Sequence, residues 1–171
     1  MATLGLTMAL TVATATVASA AGEESRLVGL TNGLRASVGV PALVVDGNLS
    51  AVAAQWAAEM AAGGSLAHNP NLGSQVAAWD RLGENVGVGN DIDQVWVTLT
   101  NSAAHYANLV DSGYTLIGTG SASSGGRLYV VQDFAQVSTP APSPVIAEPA
   151  PVIAEPAPEP EPAPAFVPTF I

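Results

Sequence analysis

Cysteine and lysine are both absent from these 171 residues. Without cysteine there is no disulfide and no zinc–thiolate centre, so the fold must stand on packing alone. Without lysine, only four arginines face fourteen acids, and the net charge is −10. Phosphate binding needs clustered cations, so nucleic acid is excluded as a partner. Charge-driven recruitment to anionic lipid is excluded for the same reason. Histidine is scarce as well, with only two copies. Long apolar runs are confined to the first 21 residues.

Both ends of the chain read as non-globular. Residues 1–21 are an Ala/Thr/Leu/Val stretch ending in Ala18-Ser19-Ala20, a small-residue cleavage pattern. They are expected to be a signal peptide cut after Ala20, although no Lys or Arg precedes the apolar run. The alternative is a retained anchor, since about 20 apolar residues can span a bilayer. Once the signal is removed, no stable membrane span is expected. Residues 138–171 hold most of the thirteen prolines, and Pro-Val-Ile-Ala-Glu-Pro-Ala occurs at 144–150 and again at 151–157. Proline removes backbone donors and favours extended chain, so this Pro/Ala/Glu-rich tail is expected to be a disordered spacer.

The foldable part is therefore residues 24–137, enough for one core. Leu27, Leu30, Leu34 and Val38 recur at helical spacing and predict a helix over 24–38, with Arg26 and Arg35 off the apolar stripe. Leu49, Val52, Ala53, Trp56, Ala57 and Met60 predict a second helix over 48–62, capped by Asp46 or Asn48 and ended by Gly63-Gly64. Trp56 belongs to its core stripe. A short helix through Val76–Trp79 is plausible, then a glycine-rich extended piece over 82–89. Asp91–Asp93 can cap a third helix through Val95, Trp96 and Leu99, and Ser102 a fourth carrying His105. Two strand-like runs, 115–121 and 127–134, flank the turn signal Ser123-Ser-Gly-Gly126. Helices first and a hairpin last argue for an α+β layer fold.

His68, Glu84 and His105 are the chemistry-bearing residues. Two neutral imidazoles suit Zn²⁺ or another divalent cation, with carboxylate or water completing the set, but two protein nitrogens alone make a weak site. Hydrolysis would need Glu84 to position or deprotonate a metal-bound water. The competing reading makes Glu84 an acceptor for loop N–H groups and imidazole. Asn85 would then pin the Glu84 segment. Ser102 is no nucleophile: it stands three residues before His105 on an expected helix, no Gly-x-Ser-x-Gly elbow exists, and capping suits it better.

In order along the chain, these pieces resemble the CAP superfamily, or SCP-like domains, of cysteine-rich secretory, antigen 5 and pathogenesis-related-1 proteins and their bacterial relatives. Asn32-Gly-Leu-Arg35 is similar to the family's N-x-x-R. His68-Asn69-Pro70 resembles its first histidine motif and Gly83-Glu84-Asn85-Val86 its G-E-N motif. Trp96, Ser102 and His105 resemble the bacterial W…S-x-x-H pattern. Ile117–Gly120 and Val130–Phe134 resemble the closing hairpin. The resemblance implies an α-β-α sandwich with a small antiparallel sheet, and one cleft lined by His68, Glu84 and His105. The second acid of better-known members is missing from the helix after Trp96, which weakens any two-carboxylate mechanism. The implied function is an exported, non-enzymatic binding module, outside the cell or at its envelope. Its ligand would be a divalent cation or a small apolar molecule such as a lipid, its partner a cell-wall or host protein. A metal-dependent, protease-like hydrolase using His68, His105 and Glu84 is the alternative.

Overall fold

The structure, a computed structural model, describes residues 11–137, with side chains from Ala20 onward. The expected tail and the first part of the expected signal peptide lie outside the described residues. The elements run α1 (Thr11–Ser37), β1 (Val44–Val45), α2 (Gly47–Gly63), α3 (Leu72–Gln75), β2 (Arg81–Gly89), α4 (Ile92–Asn101), α5 (Ala103–Val110), β3 (Leu116–Ser124) and β4 (Arg127–Gln136). The sheet order is β1-β3-β4-β2. β2, β4 and β3 are antiparallel neighbours, while β1 joins β3 in parallel, so the sheet is antiparallel apart from one short edge.

The period-2 alternation of β4 divides the core into two layers. Tyr129, Val131 and Ala135 face α2 and α3, packing with Ala53, Ala57 and Met60 and with Leu49, Val52 and Leu72. Leu128, Val130 and Phe134 face the other way, meeting Leu27, Ile92, Val95 and Leu99 and then Leu43, Leu109, Tyr114 and Ile117. Helices cover both faces, so the architecture is an α-β-α sandwich of the α+β class.

Local chemistry accounts for most boundaries. Asp46 and Asp91 cap α2 and α4 by accepting from the backbone N–H of Leu49 and Gln94. Gly64 closes α2 in the left-handed region at φ 65°. The β3–β4 turn places Gly125 and Gly126 at φ 57° and 74°, the two positive angles that suit a two-residue hairpin.

Four expectations need correction. α1 begins well before Glu24, because the preceding Ala/Thr/Val run contains no proline to stop it. Its buried stripe is Leu27, Thr31 and Arg35 rather than Leu27, Leu30, Leu34 and Val38; Val38 is exposed. Arg35 is fully buried because four backbone carbonyls need its donors. The short helix is Leu72–Gln75, and it ends before Val76, whose backbone is extended. Trp56 is only half-buried, because its indole N–H turns out to the Ala67 carbonyl at 2.8 Å.

The tightest packing is between α2 and β3. A Cβ built on Gly118 would lie 2.2 Å from the Leu49 carbonyl carbon, and one on Gly120 2.2 Å from that of Ala53. These obstacles are backbone and cannot rotate away. Gly118→Ala is expected to destabilise the fold by about 3 kcal/mol, as overpacking does. Urea unfolding would show this as a lower midpoint at unchanged slope.

Candidate functional site

The site forms where both helical layers reach the free edge of β2. Glu84 points to the α2 side of the sheet and Asn85 to the other, as strand alternation requires. The Ala67–Pro70 loop follows α2, and α5 comes from the opposite layer. The loop is held by Trp56, whose indole reaches Ala67, and by Asn69, whose amide donates to Gln75 Oε1 at 2.8 Å.

Glu84 Oε1 lies 2.6 Å from His68 Nδ1 and accepts from the Asn69 backbone N–H at 3.0 Å, with Oε2 at 3.3 Å from the same N–H. The Glu84 side chain is 6 % exposed and that of His68 65 %. A nearly buried carboxylate thus anchors an imidazole that stands in solvent.

His105 arrives on α5 half-buried, and its Nδ1 is buried without a hydrogen-bond partner. Desolvation by burial lowers its pKa, and the electrostatic interaction with His68 pushes the same way, so His105 favours the neutral form. The two imidazoles are close enough to sense each other electrostatically. Asn85 is fully buried and pins the β2 segment that carries Glu84 to α5 and β4. Its amide donates to the His105 carbonyl at 3.2 Å and to Gln132 Oε1 at 3.3 Å, and it accepts from Asn108 Nδ2 at 3.0 Å. Asn108 also reaches the Glu84 carbonyl. Ser102 holds the N-cap position of α5 as expected, but its side chain makes no capping bond.

One residue was missed. Asp133 sits directly across from Glu84 on β4, on the same face, and is wholly buried. Desolvation by burial, then the Glu84 charge, pushes its pKa up to about 8. The sequence carried a signal for it. Alternation placed Asp133 in line with Tyr129 and Val131, on an apolar face where an acid must be neutral or paired. A second acid therefore lies beside Glu84, on a strand rather than on the helix after Trp96, but buried beneath the sheet surface.

The donor set falls short of a closed metal centre. Among the described residues, no group of three or more His, Asp or Glu side chains is placed to hold a metal ion. Glu84 is already engaged by His68 and the Asn69 N–H. What the geometry performs without further groups is orientation: a carboxylate fixing an exposed imidazole and closing a loop.

Comparison with known proteins follows the same lines. Residues 28–134 match the cysteine-rich secretory protein family. An extracellular SCP-domain protein from Bacillus anthracis superposes with a TM-score of 0.66 at 22% identity, over 76% of this chain and 45% of that one. An outer surface protein from Borrelia burgdorferi gives 0.61 at 17% identity, over 66% and 91%. A cysteine-rich secretory protein from Staphylococcus aureus gives 0.57 at 20% identity, over 68% and 39%. The chain thus spans under half the length of the Bacillus and Staphylococcus proteins. No curated protein matches the sequence.

Glu84→Ala removes the acceptor shared by His68 and the Asn69 N–H. It is expected to cost about 1–3 kcal/mol, the penalty for stranding a part-buried donor, and to free the loop. The check is the Asn69 amide, whose hydrogen exchange should accelerate while amides of β3 stay protected.

Proposed function

The chain belongs to the cysteine-rich secretory protein family, and from that premise we propose that it is an exported binding module whose ligand is a small, elongated apolar molecule with an acidic head, such as a fatty acid. The observation that carries this reading is a groove of about 680 Å³ between α1 and α4, lined mainly by Gly29, Leu30, Gly33, Leu34, Trp96 and Thr100. Its size falls in the range of small-molecule sites. Gly29 and Gly33 stand one turn apart on α1, and a Cβ placed on either would meet no atom of another element within 4 Å. From Arg26 to Ser37 the groove follows α1 for about 16 Å at the helical rise per residue. Arg26 lines one end, and a ligand carboxylate there would have to share its guanidinium with Asp93.

The apolar ligand is thereby assigned to this groove rather than to the His68–Glu84–His105 cleft, where the side chains are polar and mutually engaged. Export is supported by the leader-like residues 1–21 and by relatives named as extracellular or outer surface proteins. No helix among the described residues is long and apolar enough to cross a membrane. A hydrolase at His68, His105 and Glu84 takes second place, because Glu84 already serves His68 and the Asn69 N–H instead of facing a free position.

Gly33→Leu puts a side chain into the groove, starting from a Cβ that meets no neighbouring element. Titration with a fluorescent fatty acid should show at least about tenfold weaker binding, the loss of roughly 1.4 kcal/mol. Melting should be unchanged or slightly raised, because glycine is a poor helix former. If Gly33→Leu binds like the parent while His68→Ala or His105→Ala does not, the ligand belongs to the polar cleft and the groove reading fails.

A further inference from the structure

Removal of the leader is expected to cut between Ala20 and Ala21, and α1 runs unbroken through both residues. The bond to be cut lies against the sheet. Ser121 Oγ donates to the Ala20 carbonyl at 3.4 Å, and the Ser121 backbone N–H donates to Glu24 Oε1 at 3.1 Å. Thr119 Oγ1 reaches the Glu24 carbonyl at 3.3 Å, and Ser25 Oγ the Ala21 carbonyl at 2.9 Å. The Glu24 carboxylate and the Ala20–Ala21 peptide thus meet at one residue of β3.

Strand register explains the meeting. The carbonyls of Thr115 and Ile117 accept from Val44 and Asp46, so every second residue of β3 turns its backbone to the β1 edge. β1 pairs with only Leu116 and Ile117, and Ser121 lies beyond its end. Glu24 supplies the acceptor that a longer β1 would have offered. Helix side chains lean back toward the N-terminus, so its carboxylate covers the turn that holds Ala20 and Ala21. Burial pushes its pKa up, and the hydrogen bonds from Ser121 pull it down. Among the described residues Glu24 has no cation partner. Arg26 is paired with Asp93, and Arg127 stands opposite Ser124 at the hairpin end of β3. The neighbouring Val45 and Ser50 are uncharged, Asp46 caps α2, and Glu23 shares the turn with Glu24.

We propose that Glu24 is the counterion of the mature N-terminus, pairing with the ammonium that leader removal creates on Ala21. The cut hydrolyses the Ala20–Ala21 amide. Water gives its hydroxyl to the Ala20 carbonyl carbon and one hydrogen to the Ala21 nitrogen. The new carboxyl group then loses its proton to the amine and departs with the leader. α1 now starts at Ala21. With Ala21 as the N-cap, Glu24 is the third helical residue, the position whose side chain reaches back to the N-cap nitrogen in a capping box. The helix dipole opposes a cation there, so the pair depends on the Glu24 charge. A chain that keeps its leader has a neutral amide at the same nitrogen. Leader removal therefore fastens the first turn of α1 to β3. This rests on the export reading and on cleavage after Ala20, but on neither the apolar groove nor its ligand.

Mass spectrometry of the exported chain decides the cleavage site, and an N-terminus other than Ala21 rejects that premise. The pairing is tested on the chain that begins at Ala21 and is otherwise complete, with a labelled Ala21 methyl group followed by NMR. Its α-amine should titrate about one unit above the ordinary range of about 7.7–8.0. Glu24→Gln, which keeps an acceptor for the Ser121 N–H, should return it to that range, and Glu23→Gln should move it less than half as far. An ordinary midpoint in the parent, or an equal effect of both substitutions, overturns the pair. The chain has no lysine, so an amine-directed acetylating reagent provides a second test at this one amine. Below about pH 7, Ser121 amide exchange should be about tenfold faster after acetylation. An amine raised in the folded state stabilises fully below its unfolded value and loses that contribution as pH rises through the folded one, so the difference should close by about pH 10. Equal exchange in the free and acetylated chains overturns the fastening of α1. Should Glu24→Gln not fold, the parent midpoint and the acetylation comparison decide.

Discussion

Arg35 is the interaction on which the α1–α5 side of the molecule depends. A fully buried guanidinium is costly unless its donors are satisfied. Here they reach Pro41, Leu109, Asp111 and Tyr114 carbonyls at 2.7, 3.0, 2.9 and 3.2 Å. One planar fork therefore ties the end of α1 to the loop before β1, to the last turn of α5 and to the approach to β3. Burial lowers its pKa and the Asp111 charge opposes that. Because α5 carries His105 and Asn108, the far wall of the cleft is positioned from a residue that does not touch it.

A second polar chain crosses the same layer. Thr31 Oγ1 accepts from Gln132 Nε2, Gln132 Oε1 accepts from Asn85, and Asn85 accepts from Asn108. Polar groups in a core demand full pairing and so permit few alternative arrangements. The path links α1, β4, β2 and α5, placing Asn85 beside α5 while Glu84, one residue earlier, serves the opposite layer. Consecutive residues on one strand thereby hold the two halves of the cleft together.

The elements were largely legible because they follow local rules: 3.6-residue spacing in α2, acid caps before α2 and α4, paired glycines at the hairpin. The polar core was not. Arg35 and Thr31 lie on a helix face that hydrophobic spacing alone assigns to solvent, and only tertiary carbonyls and Gln132 explain their burial. β1 escaped notice because two residues carry no period. In the site, His68 and Glu84 come together as their motifs suggested. The alternation of β4 marked Asp133 as an acid on an apolar face, but its pairing with Glu84, 49 positions away, emerges only from strand register. Ser102 occupies its cap position, yet nothing in the sequence signals that its hydroxyl leaves the N–H groups unbonded.

The shortness of β1 has a further effect. A sheet ends safely only if its outermost backbone cannot recruit another strand. β1 is two residues long and carries Val44 and Val45, both more than half exposed. Longer, this edge would be an apolar template for pairing between chains. The turn into α2 at Asp46 cuts it off before a ladder can form. The two ends of the sheet thus differ: β1 exposes only two residues of backbone for another strand to pair with, while the opposite edge is the nine-residue β2.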